Sequence, residues 1–205
     1  ALVTGANGFV GSHVVSELLS NNYRVVAVGH NGHFSNIPDN ENVTKASCDL
    51  QDISMLPEVL KGVKIDYFFH FAWDGSAGPK RTDYNLQLDN AAQVCEAVKV
   101  AKQMGATRFV SAGSIMEHEV IAACMGNGNK PGAAYIYGSG KLVAHVMASS
   151  VAAVEDIDLL WGEITNAYGV GETSPRMVNT ALRMCIAGET PQFTSGTQNY
   201  DFVYI

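Results

Sequence analysis

Thr4-Gly5-Ala6-Asn7-Gly8-Phe9-Val10-Gly11 stands between an apolar stretch, Ala1-Leu2-Val3, and a segment in which Val10, Val14, Val15, Leu18 and Leu19 share one helical face. Strand, glycine turn and amphipathic helix in that order form a unit with a physical purpose. Glycines permit a tight turn and a close approach of backbone to an anion, and the N–H groups and dipole of the following helix favour negative charge there. Gly5, Asn7, Gly8, Phe9, Val10 and Gly11 are therefore the candidate phosphate cradle. The spacing is G-x-x-G-x-x-G, a variant of the G-x-G-x-x-G dinucleotide fingerprint.

Outward from this turn, apolar runs and helical patterns alternate. Arg24–Val28 reads as a β-branched strand closed by Gly29, residues 30–42 as a loop with Gly32 and Pro38, Val43–Leu50 as a third strand, and Ile53–Val63 as a short helix. Ile65–Ala72 is nearly continuously apolar, which marks a strand covered on both faces. A loop at 74–79 precedes a long helix over about 81–104, followed by a strand at 108–112 and a breaker cluster at Gly126–Gly132. A helix over 134–153, a strand at 157–160, a helix at 175–187 and a strand opening at 201–205 complete the pattern. Alternation of this kind predicts an α/β fold, a doubly wound parallel sheet with right-handed crossovers.

Composition agrees and narrows the classes. In 205 residues, hydrophobic residues make up 47%, enough for a sizeable core, and charged residues only 16%, against ~25% in an average soluble domain. No apolar run approaches the ~18 residues needed to cross a bilayer. The net charge of −7 argues against a nucleic-acid partner. Cys48, Cys95, Cys124 and Cys185 are dispersed, without C-x-x-C or paired histidines nearby. They read as small core residues in a reducing compartment, and no metal is expected. Nothing resembles a signal peptide, so a cytoplasmic location is expected. The chain opens directly inside a strand, with the expectation that a few residues precede Ala1.

Tyr137-Gly138-Ser139-Gly140-Lys141 places a phenol and an ammonium four apart, on one face of a helix. A tyrosine with a pKa of roughly 10 is a poor base at neutral pH, and a neighbouring ammonium favours its phenolate. Tyr135 has Ser139 as its fourth neighbour, so Tyr137 alone has the lysine. Arg108-Phe-Val-Ser-Ala-Gly-Ser114 ends the fifth strand, near the point where the strand order of such a sheet reverses its direction.

Together these segments resemble the short-chain dehydrogenase/reductase superfamily, and its extended branch of nucleotide-sugar epimerases, dehydratases and reductases in particular. The resemblance implies a Rossmann-type dinucleotide-binding domain over 1–165 and, over 166–205, the start of a small C-terminal substrate lobe, apparently truncated. It implies a Ser114, Tyr137, Lys141 catalytic set: Tyr137 exchanges a proton with a sugar hydroxyl, Lys141 lowers the tyrosine pKa and holds the nicotinamide ribose, and Ser114 hydrogen-bonds the reacting oxygen. Asp49-Leu50 resembles the site where the family sets an acidic residue against the adenine; the same residues also suit a helix N-cap. His70-Phe71-Ala72 resembles the H-x-A segment, with Phe71 and Ala72 lining the cofactor and His70 read as a buried histidine.

After the second strand stand Gly29-His30-Asn31, without the carboxylate that selects NAD or the arginine that selects NADP. His30 is kept as a ribose contact or a plain loop residue. NAD is favoured, with NADP the alternative. Thr165-Asn166-Ala167-Tyr168-Gly169 resembles the N-x-Y-G segment, which makes Asn166 a substrate-diphosphate contact. Asn85 matches an asparagine that opens the long helix, as a cap or buried polar anchor. Asp201-Phe202-Val203-Tyr204 resembles R-D-F-V-x-V with Tyr200 in place of the arginine.

Two departures bear on the reaction. Family dehydratases follow the catalytic Ser/Thr with Asp-Glu; here Ile115 and Met116 stand there, with Glu117 and His118 displaced further on. Gly140 replaces the common serine before the lysine. The expectation is an epimerase acting on a nucleotide-activated sugar, with a keto-sugar reductase and a non-catalytic NAD(P)-binding sensor or scaffold as alternatives. A homodimer through helices 81–104 and 134–153 is expected, their alanines (Ala91, Ala92, Ala97, Ala101, Ala144, Ala148) permitting close packing.

Overall fold

The computed structural model describes residues 1–126 and 131–205; positions 127–130 of the expected breaker cluster lie outside the described residues. The chain divides into two compact units, Ala1–Glu163 and Ile164–Ile205.

In the first unit, strands β1 (Leu2–Thr4), β2 (Val25–Gly29), β3 (Val43–Ser47), β4 (Tyr67–His70), β5 (Arg108–Ser114) and β6 (Asp158–Ile164) form one sheet in the order β3-β2-β1-β4-β5-β6. The pairs β3–β2, β2–β1, β1–β4 and β4–β5 are parallel, with Leu2 opposite both Val26 and Phe68. This is the doubly wound order expected, and its direction reverses at β1 and β4. Such a sheet opens a crevice beyond the carboxyl ends of those two strands, which is where Gly5 and Phe71 lie.

Alternating side chains divide the core between the two faces. Leu2, Val26, Val28, Phe68 and Phe109 pack with helices α3 (Tyr84–Gln103) and α5 (Ile136–Glu155). Val3, Val25 and Ala27 pack on the opposite face with Val15 of α1 (Phe9–Ser20). All five residues of β2 are buried, as a strand covered on both faces requires.

Several boundaries differ from the sequence reading. The third strand stops at Ser47; a 3-10 turn over Leu50–Met55 then runs into the short helix α2 (Leu56–Val59), whose first turn accommodates Pro57. The sixth strand runs on to Ile164. Helix α4 (Met116–Met125) was not anticipated at all. Its inward face carries Glu117 together with Val120 and Ala123, and a charged residue on the core side erases the apolar periodicity that would have announced it.

The alanines of the long helices serve the chain itself. Ala91, Ala97, Ala101, Ala144 and Ala148 are all buried in the core shared by α3 and α5, so they do not form a face for a second copy. Ala92 is exposed. Cys48 and Cys95 are half-buried and Cys124 and Cys185 exposed, all four as free thiols, so the last two are not the core residues expected.

The second unit contains β7 (Asn166–Tyr168), β8 (Phe202–Tyr204) and α6 (Met177–Ile186), with β7 and β8 parallel and Asn166 opposite Phe202. Among the described residues no helix is long and apolar enough to cross a membrane.

Candidate active site

The glycine turn is built against its neighbours at van der Waals limits. Gly5 has φ +63, and a Cβ there would lie 2.6 Å from Ala72 N and 2.7 Å from Phe71 C. At Gly11 a Cβ would lie 2.2 Å from Gly5 O. Phe71 N donates to Thr4 O at 3.1 Å, which ties the segment after β4 to the turn. Gly8 is the N-cap of α1; no side chain caps the helix and no acidic residue occupies its first turn. An uncapped, acid-free helix start behind a glycine cradle fits a pyrophosphate. Asn7 holds the next loop: its Oδ1 accepts from Asn36 N at 2.8 Å and its carbonyl from Asn36 Nδ2 at 2.8 Å. Phe9 and Val10 open α1, with Phe9 meeting His13 edge-on.

His30 and Asp49, nineteen positions apart, meet at the ends of β2 and β3. His30 Nδ1 donates to Asp49 Oδ1 at 2.5 Å. Asp49 holds the N-cap position of the 3-10 turn but makes no side-chain cap bond, and Leu50 is the first residue of that turn. A carboxylate that follows the third strand is thus oriented by a histidine that follows the second.

His70, at the end of β4, is fully buried. It hydrogen-bonds through Nδ1 with Thr4 Oγ1 at 2.9 Å and stacks on Phe109, while its Nε2 has no partner among the described residues. Burial, reinforced by the Lys141 charge, lowers its pKa to about 3, so it stays neutral.

Ser114 ends β5, and Tyr137 and Lys141 lie in the first two turns of α5. All three are buried. Lys141 Nζ donates to Ala112 O at 2.9 Å, two residues before Ser114, and lies 3.6 Å from the centroid of the Trp73 ring. Tyr137 meets the same ring edge-on at 6.1 Å, and the Arg81 guanidinium lies 4.0 Å over the Tyr137 ring. Burial lowers the Lys141 pKa to about 7, with the Glu117 carboxylate opposing that shift. Ser114 Oγ accepts from Met116 N at 3.3 Å, and Ser114 N donates to Glu117 Oε1 at 2.8 Å.

Three residues of this site carried no signal in the sequence, and a fourth, Glu117, stood there only as an acid displaced from the dehydratase position. Trp73 bridges Tyr137 and Lys141. Gln87, on the inner face of α3, accepts from Trp73 Nε1 at 2.8 Å and donates to Gly75 O and Lys80 O. Asn90 exchanges two hydrogen bonds with the Asp74 backbone, so the loop after β4 is pinned to α3 at two points. Glu117 holds Ser114 from behind. Asn85, by contrast, is exposed; the cap of α3 is Asp83, which accepts from Asn85 N and Leu86 N. Gly140 gains a reason: a Cβ there would lie 2.9 Å from Gln87 Cβ and 3.0 Å from Gln87 O, so the absent serine is what lets α5 approach α3. Asn166 belongs to the second unit, where its N–H donates to Asp201 O.

The family model described as the NAD dependent epimerase/dehydratase family matches residues 1–205. The chain belongs to this family. Among curated proteins the chain is similar to UDP-glucuronic acid decarboxylase 6 of Arabidopsis thaliana, 26% identical over 215 residues, with 100% of this chain and 62% of that protein aligned. Among solved structures, MoeE5 in complex with UDP-glucose and NAD is 28% identical, with a TM-score of 0.73 over 99% of this chain and 67% of that one. UDP-N-acetylglucosamine 4-epimerase from Methanobrevibacter ruminantium shares the fold at TM-score 0.79 and 21% identity, over 99% and 68% of the two chains. The chain spans about three fifths of the length of the Arabidopsis relative. Relatives in this family are nucleotide-sugar-modifying enzymes of more than one reaction type.

Proposed function

We propose that this chain binds NAD and acts on a nucleotide-activated sugar, as an epimerase. The observation that carries this reading is the placement of Tyr137 and Lys141 one turn apart on a single aromatic ring, with Lys141 bonded to the strand that ends in Ser114. Gly5, Asn7, Gly8, Phe9, Val10 and Gly11 would hold the dinucleotide phosphates or shape their turn. His30, Asp49 and Leu50 would meet the adenosine end, and Phe71 and Ala72 would line the ribose side. NAD, when bound, supplies the acceptor and donor of hydride.

The chain's own groups handle the proton. Tyr137 as phenolate removes the proton of a sugar hydroxyl, and the Lys141 ammonium favours that phenolate. The Ser114 hydroxyl donates to the reacting oxygen, where its bond strengthens as negative charge develops. With NAD bound, hydride return to the other face of the keto sugar would invert the carbinol. Elimination is disfavoured. Ile115 and Met116 cannot exchange protons, and the Glu117 carboxylate is turned into the interior with its oxygens bonded to Ser114 N, Trp161 and His145.

The Arabidopsis relative favours a second reading, decarboxylation of a nucleotide-linked uronic acid. The same oxidation next to a carboxylate-bearing carbon yields a β-keto acid, which loses carbon dioxide. Homodimerisation would use the outer faces of α3 and α5, where Leu88, Val146 and Met147 are exposed.

Incubation with NAD and either UDP-glucose or UDP-glucuronic acid separates these readings: an epimerised sugar supports the first and released carbon dioxide the second. Tyr137→Phe should abolish either turnover and keep the thermal shift with NAD. A fully active Tyr137→Phe variant overturns both.

A further inference from the structure

Glu117 is 2% exposed and its carboxylate is held from three sides. Oε1 accepts from Ser114 N at 2.8 Å and Trp161 Nε1 at 3.1 Å, and Oε2 accepts from His145 Nδ1 at 2.8 Å. His145 in turn lies flat against Trp161, centroids 4.7 Å apart and planes 8° from parallel. A second pair faces this one: His118 Nε2 donates to Glu163 Oε2 at 2.7 Å. The four side chains line a cavity of about 460 Å³ that none of Ser114, Tyr137 or Lys141 lines.

Ligand-capable atoms of Glu117, His145 and Glu163 all lie within 4.8 Å of one another, brought there by α4, α5 and β6. Two carboxylates converge here with two imidazoles. The Lys141 ammonium acts on Glu117 electrostatically but is itself committed to Ala112 O and Trp73. Imidazole with carboxylate oxygen is the donor set that divalent first-row metals take, at bond lengths of about 2.0–2.2 Å. Glu117 and His145 are already oriented by Ser114 N and by the Trp161 ring, as outer partners orient metal ligands. The Glu163 side chain, 34% exposed, is on the solvent side of the cluster and is the ligand with room to adjust.

We propose that Glu117, His145 and Glu163 form a binding site for a divalent transition metal, with His118 orienting Glu163; the ion would replace the His145 Nδ1–H to Glu117 Oε2 hydrogen bond, the ring keeping its proton on Nε2. The expectation of no metal came from cysteine spacing; these ligands stand at positions 117, 145 and 163, with no motif to announce them. Because Glu117 also holds Ser114 N, an ion here would clamp α4, α5 and β6 behind the strand end that carries the serine.

The test uses the full chain without an affinity tag, stripped with a chelator and titrated with Zn²⁺ by calorimetry and with Co²⁺ by visible absorption. The metal titration is independent of NAD and of turnover, so its failure is distinct from failure of the proposed reaction. One ion per chain is expected, with Co²⁺ ligand-field bands and no thiolate charge-transfer band. Glu163→Gln should weaken binding about tenfold or more, and His118→Gln by about tenfold; an unchanged melting temperature in chelator shows that each variant still folds. Absence of saturable binding, thiolate bands, or binding that Glu163→Gln leaves unchanged would overturn the site.

Discussion

The Lys141 ammonium rests 3.6 Å from the centroid of the Trp73 ring while donating to Ala112 O. A buried cation is costly unless its environment compensates, and here an aromatic face and one carbonyl offset only part of that cost, since burial still lowers the pKa to about 7. Trp73→Leu removes the aromatic face and should lower kcat about tenfold, in line with ~0.5–2 kcal/mol for a desolvated cation–π contact. Trp73→Phe keeps a ring there and should retain most of the activity. Steady-state kinetics on the two variants check this, and equal losses would count against the cation–π role.

Stability should depend on pH through the same lysine. Its pKa falls from 10.5 to about 7 on folding. Between those values the unfolded chain binds the extra proton, so stability rises with pH across that window. Urea midpoints at neutral and alkaline pH should show the rise in the parent chain and a smaller one in Lys141→Met.

His70 carries the same sign at lower pH. Its pKa drops from 6.5 to about 3 in the fold, so the unfolded chain takes the proton first as pH falls. Stability is lost progressively from about 6.5 down to about 3. A His70→Asn variant, less stable at neutral pH, should show a shallower acid limb in thermal melts.

Gly5 and Gly8 should respond differently to alanine. Gly5→Ala places a Cβ 2.6 Å from backbone at a positive φ, and should remove the thermal shift with NAD as well as lower stability. Gly8 has φ −74 and its nearest atom would be Gly5 O at 3.2 Å, so Gly8→Ala should fold with a loss of less than about 1 kcal/mol. Thermal melts with and without NAD measure both.

Restoring the family's serine at Gly140 should harm this chain. The added Cβ meets Gln87 at 2.9 Å across the α3–α5 contact, an overpacking that costs about 1–3 kcal/mol. Urea unfolding of Gly140→Ser reads the loss directly.

The alternation of apolar runs and helical faces was enough to determine the doubly wound sheet, because strand and helix periods are local properties. The glycine turn was legible for a related reason: Gly5 and Gly11 answer to contacts within a single strand–turn–helix unit and its neighbour. Tyr137 and Lys141 were legible because four residues along a helix fix a shared face. The helix over 116–125 was not, because its inward position is occupied by Glu117, whose bonding partners Trp161 and His145 stand 44 and 28 positions away. Trp73, Gln87 and the pairing of His30 with Asp49 were hidden for the same reason. Likewise the alanines of the long helices had two possible partners in sequence, another chain or each other, and only packing assigned them to each other. Local periodicity and motif spacing thus specified the scaffold and singled out its candidate groups. Which charges face one another, and which small residues are already used inside the core, followed from contacts between distant segments that only the folded chain brings together.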